Sequence, residues 1–225
     1  MNSGDHILLE KMRILRRAGP ETLARLAAKS DTRSFARGSV LFDQGDAAQY
    51  AYFLLHGEVA LIGKRDQAEM VVEFFGTGDI ILAAAVLLDR PYLVKARTIE
   101  ESRIVLVPAA LFRDLVHADH SLAIAMAEEM ARHWRVLVRQ IKDLKLRSAP
   151  QRLAAYLLMR RRAGATKLVL NEDRKVLAGR LGITAESLSR AFALLRPLGV
   201  QGKGHEIHIG DPARLAKYCG YEDTI

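Results

Sequence analysis

Between Val176 and Leu195 the chain reads VLAGRLGITAESLSRAFALL, and its polar side chains fall at helical spacing. Arg190 carries a planar fork of donors that matches guanine O6 and N7. Glu186 can accept from a cytosine amino group, and Ser189 can meet either partner or a thymine methyl. Such a set reads base edges only if a helix carries it into a major groove. The apolar residues supply that helix: Leu188, Ala191, Phe192 and Leu195 share one face and leave Glu186, Ser187, Ser189 and Arg190 on the other. Thr184 is a good N-cap, which predicts a first helical residue at Ala185. Ala178, Gly182 and Leu188 fill the small crossing residue, left-handed turn and apolar anchor that a helix-turn-helix requires. The plain alternative is a surface ion pair between Glu186 and Arg190, worth roughly a few tenths of a kcal/mol. The three-position turn pattern weighs against it.

The elements around this stretch fit the same use. Val200 to Ile209 reads as a β-hairpin with a basic tip, a wing on which Lys203 can touch the phosphate backbone. Upstream, Ser148-Ala149-Pro150-Gln151 supplies a capping Ser with Gln three residues on, and the residue before Pro150 predicts a break in the preceding helix at Ala149. A helix (Leu153 to Arg162), a short strand (Lys167 to Leu170) and a final helix after Asp211-Pro212 complete this part. From Pro150 onward there are 13 basic and 7 acidic residues, against 21 and 19 before it. A basic C-terminal third suits a polyanion, because each phosphate neutralised releases counterions.

Before the joint, Ser121 to Leu146 runs without Gly or Pro. Met126, Met130, His133, Leu137, Ile141 and Leu144 recur at three- or four-residue steps and predict the narrow seam of a two-stranded dimer helix. The other use of such a helix is as a cover for the β-rich region. That region, Phe35 to Val107, alternates β-prone runs (Val40 to Phe42, Tyr50 to Leu55, Val59 to Ile62, Met70 to Phe75, Ile104 to Val107) with glycine corners, the pattern of an antiparallel roll or barrel. An apolar insert, Leu82 to Leu88, predicts a short internal helix over a pocket. Residues 7 to 30 read as helical, with Pro20 near the start of a second apolar stretch carrying Leu23 and Leu26.

Composition bounds the rest. A chain of 225 residues with 50% apolar and 27% charged residues makes one or two soluble domains and rules out wholesale disorder. The longest apolar run, Ile80 to Leu88, falls far short of the ~20 residues of a membrane span. No signal-peptide layout opens the chain, so a cytoplasmic protein without membrane association is expected. A single cysteine, Cys219, excludes an internal disulfide and a four-thiolate cluster. Residues 35 to 107 contain one histidine, His56, too few for the metal site of a roll-shaped enzyme, so no enzyme is expected.

Taken in order, these parts resemble the Crp/Fnr family of bacterial transcription regulators over nearly the whole chain. The resemblance implies an α+β fold in three parts: a cyclic-nucleotide-binding-like β-roll over 1–115, a long dimerisation helix over 116–147 and a C-terminal winged helix-turn-helix over 148–225. It implies double-stranded DNA, a second copy of the chain and RNA polymerase as partners. Glu186-x-x-Ser189-Arg190 is similar to the Fnr-type signature, whereas the Crp type has arginine where Ala185 stands. Half-sites resembling TTGAT in a palindrome are then implied, with Thr184, Ser187 and Lys203 as further DNA contacts. The family's cyclic-nucleotide pocket uses a Gly-Glu pair and an arginine pair; an ungapped match puts Leu82-Ala83 and Tyr92-Leu93 there, which disfavours cyclic AMP. The oxygen-sensing branch needs a cysteine set that is absent, which disfavours an iron–sulfur cluster. What remains resembles the Dnr/NnrR-like branch, denitrification regulators that answer to nitric oxide, with heme as the cofactor this resemblance suggests. None of His6, His56, His117, His120, His133, His205 and His208 shows ligand spacing, so the metal ligand stays unassigned. The alternative is an effector-independent DNA-binding dimer whose roll is only a scaffold.

Overall fold

The computed structural model describes residues 3–65, 68–81, 83–162, 164–170 and 172–221, with the side chains of residues 3, 65, 68 and 203 outside that description. The chain divides into two packed units, residues 1–135 and 136–225, each with its own apolar core.

In the first unit, helices α1 (Ser3–Lys11) and α2 (Pro20–Lys29) precede strands β1 (Asp31–Phe35), β2 (Val40–Phe42), β3 (Tyr50–His56), β4 (Glu58–Arg65), β5 (Ala68–Gly76) and β6 (Ile80–Ile81). A short helix α3 (Ala83–Leu87) follows, then β7 (Lys95–Thr98) and β8 (Ser102–Pro108). The described strands form two antiparallel four-stranded sheets, ordered β1-β8-β3-β6 and β2-β7-β4-β5, which face each other as a roll. Alternation decides which side each residue takes. Phe53 on β3 meets Phe112 of helix α4 (Ala109–Ala118) edge to face at 5.7 Å, while Tyr52 next to it meets Phe42 of β2 at 5.4 Å. The β3–β4 reversal requires glycine: Gly57 has φ +100°, and a Cβ there would stand 2.7 Å from the Glu101 carbonyl oxygen. Asp119 then opens helix α5 (His120–Leu146). Its Oδ1 accepts from Leu122 N–H at 3.1 Å, and its Oδ2 accepts from Gly19 N–H and the Thr22 hydroxyl, so one carboxylate caps both α5 and α2. Asp5, buried on α1, takes both arms of Arg103 on β8 at 2.6 and 2.8 Å.

The second unit continues with α6 (Ala149–Arg160), β9 (Lys167–Val169), α7 (Arg174–Arg180), α8 (Ala185–Leu195), β10 (Val200–Lys203), β11 (Glu206–Ile209) and α9 (Pro212–Cys219). β10 and β11 make the hairpin, and β9 adds to it antiparallel. Leu153, Leu157, Leu188, Leu195, Ile209 and Leu215 form the centre of the core, each fully buried. Tyr156 on α6 hydrogen-bonds Glu172, whose other oxygen accepts from Arg180 Nε at 2.7 Å, a brace between α6 and the entry to α7.

Two readings are corrected here. Residues 7 to 30 are two helices separated by turns at 12–18, with Pro20 opening the second. The break before the winged part falls at Ser148, extended at ψ 164°, and Ala149 is already helical; Gln151 Oε1 accepts from the Ser148 N–H and hydroxyl at 2.9 and 3.0 Å and fixes that start. The strands β1, β6 and β7 carry no apolar alternation of their own and exist through pairing, β1 for example along Asp31↔Leu106 to Phe35↔Ser102.

Candidate nucleic-acid interface

The presentation of the second helix follows from its cap and its turn. Thr184 Oγ1 accepts from Ser187 N–H at 3.2 Å, so α8 begins at Ala185. Gly182 takes φ +61° in the turn, and Arg152 of α6 donates from Nε to the Leu181 carbonyl at 2.9 Å, satisfying an end carbonyl of α7. Leu188, Ala191 and Leu195 are buried, so the opposite side of α8 must face outward. Phe192 is half-buried beneath the guanidinium of Arg174, which lies 5.4 Å from its ring centre.

On the outward side Glu186, Ser189 and Arg190 are exposed, and Ser187 is half-buried. Hydrogen bonds from its own backbone N–H and from the Thr184 hydroxyl hold the Glu186 carboxyl below the usual carboxylate range, with Arg190 adding a weaker pull. Arg190 Nη2 donates to Ser187 Oγ at 3.3 Å. Thr184, Glu186, Ser187, Ser189 and Arg190 thus share one end of one helix. Lys203 closes β10, registered opposite Glu206, and its side chain lies outside the described ones. His205 holds the hairpin turn through Nδ1 against the Leu170 carbonyl at 2.8 Å. Arg152, Arg174 and the Tyr156–Glu172–Arg180 brace were missed in the sequence. Their partners are carbonyls, rings and residues far along the chain, and no local spacing announces them.

The structure divides the predicted seam on α5. Met126 is buried and Met130 packs against the core of the roll. His133 stacks on Phe75 at 5.5 Å and its Nε2 lies 3.2 Å from Glu73. Leu137 is half-buried, and Ile141 and Leu144 are about half exposed. The most exposed apolar residue toward the middle of α5 is Trp134, 67% accessible; with Ala127, Ala131, Val138 and Ile141, all exposed, it makes a run of alternating four- and three-residue steps.

In the roll, Leu82 lies outside the described residues, and Ala83 is buried at the start of α3. Tyr92 is buried, stacked on Phe42 at 3.6 Å, with its hydroxyl donated to the Tyr50 carbonyl at 2.9 Å. Its backbone is fixed by Gly45 N–H and Asp46 O. Leu93 is 84% accessible. A cavity of about 330 Å³ is lined by Tyr92, Phe42, Tyr50, Tyr52, Arg33 and Asp46 among others. A cyclic phosphate does not fit at Tyr92-Leu93: one side chain is a committed phenol whose ionisation burial opposes, the other an exposed leucine. No histidine lines the cavity. Among the described residues no group of three or more His, Cys, Asp or Glu could hold a metal ion, and no helix is long and apolar enough to cross a membrane.

Residues 32–119 match the cyclic nucleotide-binding domain and residues 151–218 the Crp-like helix-turn-helix domain. The "CRP-like cAMP-activated global transcriptional regulator" of Mycobacterium tuberculosis is 25% identical over 91% of this chain and 97% of its own. Among solved structures, a candidate cAMP-binding regulatory protein from Silicibacter pomeroyi DSS-3 is 29% identical, covering 98% of this chain and 100% of its own, with TM-score 0.59. DNR from Pseudomonas aeruginosa, 23% identical over 97% of this chain and 99% of its own with TM-score 0.53, shares the fold. A nucleotide-binding-type roll, a long helix and a basic C-terminal helix-turn-helix define a DNA-binding transcription regulator and not an enzyme. The chain belongs to the Crp/Fnr family.

Proposed function

We propose that the protein acts in the cytoplasm as a homodimer on TTGAT-type inverted repeats, working with RNA polymerase to control nitrogen-oxide or denitrification genes. Three parts are proposed: a sensor over 1–115, a dimer helix over 116–147 and a DNA-binding part over 148–225. The carrying observation is the joint exposure of Glu186, Ser189 and Arg190 at the capped start of α8. Arg190 and Glu186 take the G·C pair, Ser189 a neighbouring thymine, and Thr184, Ser187 and Lys203 add contacts. The dimer pairs through α5, with Trp134, Val138 and Ile141 supplying the apolar knobs that its own roll leaves open. The degenerate positions Leu82, Ala83, Tyr92 and Leu93 take the signal away from cyclic AMP, and nitric oxide is the signal proposed from likeness to the Dnr branch.

A salt series of DNA binding tests the division of labour. Lys203→Ala is expected to weaken binding to every sequence alike and flatten the salt slope, whereas Glu186→Ala is expected to relax base preference. Equal loss of base preference in both would contradict it.

The packing of Tyr92 favours a second reading, a regulator that needs no effector. Its ring is stacked and its hydroxyl satisfied within the roll, so no ligand is required to complete that site. Footprints identical with and without nitric oxide and hemin would support this version; a footprint that appears only with nitric oxide would support the sensor.

A further inference from the structure

Arg190 has two polar residues at the spacing of side-chain contact on a helix, Glu186 four residues before it and Ser187 three before it. Among the ion pairs of the described residues there is none between Arg190 and Glu186 within 4.0 Å; the guanidinium instead donates from Nη2 to Ser187 Oγ at 3.3 Å. Ser187 is itself held. Its N–H donates to Thr184 Oγ1 at 3.2 Å, and the two hydroxyl oxygens share a hydrogen bond at 3.2 Å. Thr184, Ser187 and Arg190 therefore form a line at three-residue spacing, starting from the cap that fixes the helix start.

We infer that Ser187 is a positioning residue for Arg190, steering the guanidinium over the exposed end of α8 without neutralising it. This rests on the reading that Arg190 contacts guanine. An arginine side chain has large rotamer freedom, and a bidentate base contact requires one orientation of its fork. Glu186 in the role of Ser187 would fix that orientation but pair off the charge, and would occupy the acceptor it offers to cytosine. A neutral hydroxyl uses one of five N–H donors and leaves four for the base.

The test is a double-mutant cycle on the full-length dimer, reading the ratio of affinities for the inverted repeat and for the same duplex with its G·C pairs exchanged. Ser187→Ala is expected to lower that ratio about 2- to 10-fold per half-site, the range for ordering one long side chain. Ser187→Thr, which keeps the Oγ, is expected to restore it. In an Arg190→Ala background Ser187→Ala is expected to leave the ratio unchanged, because any contact of its own to the phosphate backbone weakens both duplexes alike. A loss of the same size in both backgrounds would overturn the inference, since Ser187 would then read a base by itself. So would an unchanged ratio in Ser187→Ala where Arg190→Ala removes the preference. If Arg190→Ala itself leaves the preference intact, the guanine assignment fails and this inference falls with it. Far-UV circular dichroism of each variant checks that α8 still forms.

Discussion

Leu144, near the end of α5, sits over the turn of the helix-turn-helix: its Cδ2 would lie 2.9 Å from a Cβ placed on Gly182. Gly182 also has φ +61°, where side chains other than glycine are strained. One residue thus serves a left-handed turn and a close approach by the preceding helix. The leucine methyl can swing aside, so the backbone sets the larger cost. Gly182→Ala is expected to lower stability by about 1–2 kcal/mol, read as a lower denaturant midpoint. An unchanged midpoint would show that the turn does not need glycine.

The pair formed by Glu73 on β5 and His133 on α5 makes stability depend on pH. Burial, then Asp79, pushes the Glu73 carboxyl up to about 7, and burial pushes His133 down against the pull of Glu129 and Asp79. Arg13 and Arg132, both bound to Glu129, complete the charges around the site. A carboxyl raised in the folded state binds more protons than when unfolded. Its contribution is therefore full below its ordinary value of 4.5 and is lost as pH rises through about 7. His133, lowered, works the other way, adding stability as pH rises toward 6.5. Glu73→Gln removes only the first effect. Its stability relative to the parent is expected to be more favourable at pH 8 than at pH 5, by roughly 1–3 kcal/mol. Denaturant midpoints at the two pH values check this, and a difference that does not change with pH would contradict it.

How much of this was legible beforehand differs by element. The start of α8 was plain because its signal is local: a threonine cap before the helix and a glycine two residues earlier. The stripe on α5 was misleading for a physical reason. Met126, Met130 and His133 are apolar or aromatic because they cover the roll of their own chain, and a helix apolar on two sides does not announce which side meets which partner. Ala127 and Ala131, small and exposed, blurred the second side. Tyr92 looked like a missing phosphate ligand in the sequence; only the structure shows its ring stacked on Phe42, from another strand.

The two sides of α5 give separable outcomes. Trp134→Glu is expected to shift the protein from dimer to monomer by light scattering while its melting temperature changes little, because the side chain touches water within the protomer. Met130→Glu is expected to lower the melting temperature, since it places a charge against the core. A dimeric Trp134→Glu would move the seam elsewhere.

Cyclic AMP at millimolar concentration is expected to leave the melting temperature unchanged, since a ligand of the native state would raise it. A saturable rise would contradict the reading of Tyr92-Leu93 and put Arg90, the arginine nearest in sequence, first for mutation.

Base readout by Arg190 is tested most directly by binding-site selection with the parent and with Arg190→Ala. The parent is expected to recover TTGAT-type inverted repeats whose half-site centres lie about one helical turn apart. Arg190→Ala is expected to lose preference at the G·C pair alone, at a cost of about 1–3 kcal/mol per half-site. Selection of a TGTGA-type half-site by the parent, or a G·C pair still selected by Arg190→Ala, would contradict the assignment.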